Sequence, residues 1–165
     1  MKDIRNEDHF QREVTKLANG AGAHVQPFQN LEWPGVPDLS LSWNTRDFWL
    51  EVKFARCAIN VQDYDKFRFD TLTAQQLDWL EKRSRHSLAH CGILGYVVIP
   101  PNKFVDYICY YPVNIYRKQV WKNSRYSVGA MILYPGSIDA SHIKTGSDLL
   151  AFIEGVPDEY VVQPG

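Results

Sequence analysis

The first pattern along the chain has a period near 3.6. From Asn6 to Ala18, Phe10, Val14 and Leu17 fall on one stripe, which predicts a helix capped by Asp3 or Asn6 and stopped at Asn19-Gly20. The period then drops to two. Ala23 to Phe28 predicts a short strand ending in a polar, proline-containing loop. Leu39-Ser40-Leu41-Ser42-Trp43 and Phe48-Trp49-Leu50-Glu51-Val52-Lys53-Phe54 alternate cleanly and predict two half-buried strands. Asn44-Thr45-Arg46-Asp47 connects them, a length that suits an antiparallel hairpin with Trp43 opposite Phe48, Leu41 opposite Leu50 and Leu39 opposite Val52. Helical spacing returns after Thr73, which forms a capping box with Gln76 and leads into a buried face of Leu77, Leu80, Ser84 and Leu88. Gly92 to Ile99 is almost continuously apolar and predicts a strand covered on both faces. Past Pro100-Pro101, strands are predicted at Phe104 to Tyr111 and at Met131 to Tyr134. Thr145 then caps a last short helix running through Ile153.

The hairpin's other face is polar. The same register sets Asp38 opposite Lys53 and Ser40 opposite Glu51, with Asp38 and Glu51 as diagonal neighbours. Opposed side chains lie about 5 Å apart and diagonal ones about 7–8 Å, so two carboxylates and an ammonium converge. An all-oxygen donor pair of this kind favours a hard cation, Mg²⁺ or Mn²⁺. A lysine beside it can orient water or stabilise charge on a phosphate. The bland reading is an ordinary hairpin whose outer face carries an Asp–Lys cross-strand pair.

Pro37-Asp38, twelve intervening residues and Glu51-Val52-Lys53 together resemble the signature of the PD-(D/E)xK nuclease superfamily. Gly35-Val36-Pro37-Asp38 and the stretch Leu72-Thr73-Ala74-Gln75-Gln76-Leu77-Asp78-Trp79-Leu80 are most similar to its VRR-Nuc and Holliday-junction-resolvase-like branches. The resemblance implies metal binding by Asp38 and Glu51, with the Val52 carbonyl as a further ligand, and activation of water by Lys53. It also implies an accessory carboxylate on the first helix, where Glu13 matches best and Glu7 sits at the edge of the arc. Gln76 matches a glutamine that the family places near the site, although a capping box wants Gln there for its own reasons. The implied fold is α/β, a restriction-endonuclease-like αβββαβ core over residues 6–99 with a mixed central sheet flanked by helices. Residues 100–165 form a C-terminal extension within the same single domain.

Composition changes this picture little. The chain has 165 residues, 45% of them hydrophobic and 13% aromatic, which suits one globular domain. Its net charge of −1 gives no global attraction to nucleic acid, so positive charge must be local. Two stretches interleave basic and aromatic residues: Arg56, Lys66 and Arg68 after the hairpin, and Arg117, Lys118, Lys122 and Arg125 in the extension. Both suit phosphate clamping or base stacking, and equally a loop or turn packed on the core. Three scattered cysteines argue against a disulfide framework and a cysteine zinc site. The charged N-terminus and the lack of long apolar runs lead to the expectation of a soluble intracellular protein without membrane contact.

The expectation is a Mg²⁺- or Mn²⁺-dependent endodeoxyribonuclease acting on DNA, with branched DNA as the target and a homodimer as the assembly that the resemblance implies. The alternative is the same fold with catalysis lost, serving to bind nucleic acid or protein.

Overall fold

A computed structural model describes residues 1–28, 34–56, 69, 71–98, 106–117 and 136–156. Asn6 opens helix α1 (Glu7–Gly20) by accepting from the His9 amide, and Phe10, Val14 and Ala18 form its fully buried stripe. Strands β1 (His24–Pro27), β2 (Leu39–Trp43) and β3 (Arg46–Arg56) follow as an antiparallel meander. Helix α2 (Ala74–His86) then carries the chain across to β4 (His90–Val98), which runs parallel to β3. Strand β5 (Tyr107–Pro112), the short turn of helix α3 (Val113–Ile115) and β6 (Ser137–Asp139) come next, and α4 (Gly146–Gly155) is the last element described. The six strands lie in the order β1-β2-β3-β4-β5-β6, and the β3–β4 pair is the parallel one. A parallel pair needs a crossover, and α2 supplies it. The strands predicted at Phe104 and at Met131 to Tyr134 begin or lie wholly outside the described residues, while the hydrophobic pattern does not predict β6.

The hairpin turns more tightly than its sequence suggests. Asn44 and Thr45 have φ of 48° and 63°, so a two-residue turn of type I′ character replaces the expected four-residue loop. Trp43 therefore pairs with Arg46, Leu41 with Phe48 and Leu39 with Leu50. The shift is two residues, which leaves every side chain on its expected face. A β-branched threonine in the left-handed region is strained, and nothing in the sequence marked it for that role. Thr45→Gly is expected to stabilise the protein by about 0.5–1 kcal/mol, read as a higher urea midpoint with an unchanged slope.

The apolar face of the hairpin, Leu39, Leu41, Phe48, Leu50 and Val52, is buried. Phe10 of α1 and Phe54 both pack on Tyr96 of β4. Helix α4 starts against α1 so closely that a Cβ on Gly146 would stand 1.8 Å from the Leu17 carbonyl oxygen. Backbone cannot yield as a side chain does, so Gly146→Ala is expected to cost about 2–3 kcal/mol in chemical denaturation. On the opposite face of the sheet, α2 buries Leu77 and Leu80. Leu88, expected on that buried face, is fully exposed, because the chain leaves the helix at an extended Ser87.

Candidate functional site

Strand β3 outruns its partner β2. Pairing ends at Leu39–Leu50, and the same register continued by one residue sets Asp38 opposite Glu51, nearer than the diagonal placement expected. The first backbone amide of β3 left without a β2 partner in that gap is Val52. It donates to Asp38 Oδ2 at 2.8 Å, which fixes the carboxylate. In a strand a residue's N–H and C=O point to the same neighbour, so the Val52 carbonyl also faces the side where β2 has ended.

Glu51 and Lys53 follow on the face covered by α2. Both are buried, the only charged residues among those described that are, and Lys53 Nζ lies 2.7 Å from Glu51 Oε1. Lys53 also meets Glu7 Oε1 at 3.2 Å. Gln76 donates its amide to Glu51 Oε1, and its own Oε1 accepts from the Thr73 amide at 2.9 Å. The capping role and the site role of Gln76 are thus filled by one side chain at once. Gln76→Glu separates them: it retains the acceptor the capping box needs but faces Glu51 with like charge. Retained helix content by circular dichroism with a lower melting temperature is the expected outcome.

Glu51 Oε1 therefore has two donors, whereas the buried Oε2 has none. Burial pushes the Glu51 carboxyl up to about 8; Lys53 opposes the rise, and Asp38 adds to it by its charge and as an acceptor for the protonated form. Burial alone would depress Lys53, but the charges of Glu51, Glu7 and Asp38 outweigh it and raise its pKa. Two carboxylates held together beside an unsatisfied buried oxygen form an electrostatic gap that a proton or a cation fills. Among the described residues no three carboxylate, imidazole or thiol side chains form a ready cage. Mg²⁺ does not require one, since it typically takes one or two carboxylates and retains water. The donor set fits a hard divalent ion.

The first-helix carboxylate differs from expectation. Glu13 pairs with Lys16 at 3.7 Å, while Glu7, in the first turn of α1, reaches Lys53. Glu13 stands six residues further along the helix, about 9 Å. The stripe pattern singled out the more central residue. The available signal was that Glu7 begins the helix, whose N-terminal end meets the open end of the hairpin.

Of the basic residues singled out, Arg56 is exposed at the end of β3, its guanidinium carbon 5.6 Å from the centre of the Phe54 ring. Arg117 is tied to α2 through Asp78 at 2.7 Å and Glu81 at 3.5 Å, so its charge is already answered within the fold. Lys66, Arg68, Lys118, Lys122 and Arg125 lie outside the described residues. A polar cleft of about 450 Å³ between α1 and β1 brings two further cations near the patch, Arg12 and Lys16. Gln11, also on its wall, approaches the Asp38 carbonyl at 3.5 Å.

No protein-family model matches this sequence, and no curated protein does. Among solved structures, Hjc, a Holliday junction resolvase of Archaeoglobus fulgidus, matches with a TM-score of 0.50. Identity is 16%, and the match covers 87% of this chain and 98% of that one. The fold is restriction-endonuclease-like. In this fold the mixed sheet, flanked by helices, carries Asp38, Glu51 and Lys53 where β2 and β3 part, under the start of α2. No helix among the described residues is long and apolar enough to cross a membrane.

Proposed function

We propose that this chain is a divalent-metal-dependent nuclease that hydrolyses DNA phosphodiester bonds endonucleolytically. The observation that carries the reading is the convergence of Asp38 and the buried Glu51, one oxygen of which lacks any donor, with Lys53 beside them. A structural ion pair needs one carboxylate for one ammonium. Here Lys53 is paired with both Glu51 and Glu7 while the charge of Asp38 acts on Glu51 as well, and the surplus negative charge is stabilised by a cation.

Asp38, Glu51 and the Val52 carbonyl would hold Mg²⁺ or Mn²⁺. When bound, such an ion supplies Lewis acidity at the phosphoryl group and lowers the pKa of water. The chain's own residues do the rest. The Val52 amide keeps Asp38 from rotating, and Gln76 fixes the Glu51 carboxylate in one orientation. Lys53 has three N–H donors, and Glu51 and Glu7 engage two. The third can orient the attacking water or meet charge developing on the phosphate, and burial strengthens either interaction.

The neighbour of similar fold is a resolvase of Holliday junctions, which makes branched DNA the first substrate to try. The test is cleavage of duplex, single-stranded and four-way-junction DNA with Mg²⁺, Mn²⁺ or EDTA. Cleavage with metal and none in EDTA is the expected result. Binding without cleavage under every metal condition would favour a module that has lost catalysis.

A further inference from the structure

Beside the carboxylate patch stands a group of side chains that the hydrolysis does not use. Trp49 lies two residues before Glu51 on β3, so both point to the same face of the sheet, one strand repeat apart. Phe28 stacks on its ring at 5.6 Å between centroids and 16° between planes, and Trp79 of α2 tilts against it at 4.9 Å. The guanidinium carbon of Arg83 lies 4.8 Å from the Trp49 ring centre. Gln76, Trp79 and Arg83 occupy one stripe of α2 at spacings of three and four, so a single helix face runs from Glu51 to this stack.

The stack is not sealed into the core. Phe28, Trp49 and Trp79 are all half-buried and Arg83 is exposed. Among the described residues Arg83 has no carboxylate partner, unlike Arg85 and Arg117, which are both paired with Glu81. Neither indole N–H of Trp49 and Trp79 has a protein acceptor there, whereas Trp43 donates to the Ala21 carbonyl. A cation without an acid, resting on an aromatic ring, can meet both the face of a nucleobase and its phosphate.

We propose that the Trp49–Arg83 stack receives an unpaired nucleobase of the strand whose backbone lies at Asp38 and Glu51, which directs the protein to DNA with splayed or single-stranded nucleotides at the cut. Paired bases have both faces covered by their neighbours, so only a base freed from the duplex can use the stack. The inference rests on the nuclease reading for its neighbouring site, but its test reads binding and not cleavage.

The Asp38→Asn protein, in EDTA, is titrated with an oligo-dT strand and with a blunt duplex of equal length, following tryptophan emission and the anisotropy of labelled DNA. Single-stranded DNA is expected to quench the emission. Arg83→Ala should weaken single-strand binding about 5–10-fold or more while changing duplex binding about two-fold. Trp49→Phe, which retains a ring, should remove most of the quenching and little of the affinity. Equal loss on both DNAs with Arg83→Ala would reduce Arg83 to a simple phosphate contact and overturn the proposal, as would quenching undiminished by Trp49→Phe. Quenching without cleavage by the native chain would keep the stack and sink the nuclease reading. Absence of binding to either DNA would overturn the stack, and the nuclease reading would stand or fall on the cleavage assay.

Discussion

Glu51→Gln and Asp38→Asn are each expected to lower Mg²⁺-dependent DNA cleavage by about 10³-fold or more, with the fold intact. Both substitutions preserve shape and remove one negative charge. Glu51 offers one oxygen to Lys53 and Gln76 and holds the other unpartnered within the buried site. An amide there can still accept from Lys53 but cannot give a cation full charge. Asp38→Asn retains an oxygen for the Val52 amide, so the end of β2 should remain in place. Single-turnover cleavage on the preferred DNA, with circular dichroism as the control for folding, measures the effect. Activity within ten-fold of native in both variants would remove Asp38 and Glu51 from the chemistry. Lys53→Ala is a poorer probe, because it strands two carboxylates around a buried void and endangers the fold.

Most of this site is legible in the sequence because it rests on alternation, which survives errors of detail. The turn at Asn44-Thr45 is two residues tighter than the sequence suggests, yet Asp38, Glu51 and Lys53 share their expected side of the sheet, because strand side chains repeat every two. Had the error been one residue, the carboxylates would have been assigned to the core. Capping boxes were equally legible, and Thr73 and Thr145 both begin helices with their N3 residue reaching back. The choice between Glu7 and Glu13 was not. A helix stripe says which residues face the sheet but not how far along it the partner strand's open end lies. That distance depends on the packing of α1 across β3, a tertiary quantity. The Trp49 stack is not legible in the sequence for a similar reason. Phe28, Trp49, Trp79 and Arg83 come from three separate segments, and each alone reads as an ordinary amphipathic position.

The metal-free protein is expected to lose stability as pH rises from 6 to 8.5, and Mg²⁺ to reverse that loss. Glu51 has its carboxyl raised by burial to about 8 in the folded state, against an ordinary value near 4.5 when unfolded. A carboxyl raised on folding stabilises the native state below its unfolded value, and that contribution disappears as pH climbs through the folded one. Between pH 6 and 8 the unfolded chain has already ionised while the folded chain resists. The loss is on the order of 2–3 kcal/mol at about 1.4 kcal/mol per unit. With a cation seated between Asp38 and Glu51, the ionised form is the favoured one. Mg²⁺ at about 100 times its dissociation constant then adds about 2.7 kcal/mol. Urea unfolding at pH 6, 7 and 8.5, in EDTA and in Mg²⁺, reads both terms. Other groups titrate over this range, and Glu51→Gln subtracts them, because only the Glu51 contribution vanishes in the variant. A slope identical in the native chain and in Glu51→Gln would mean that Glu51 is ionised throughout, held by Lys53 alone. The site would then hold its full negative charge in the absence of a cation, and Mg²⁺ would add no pH-dependent stability.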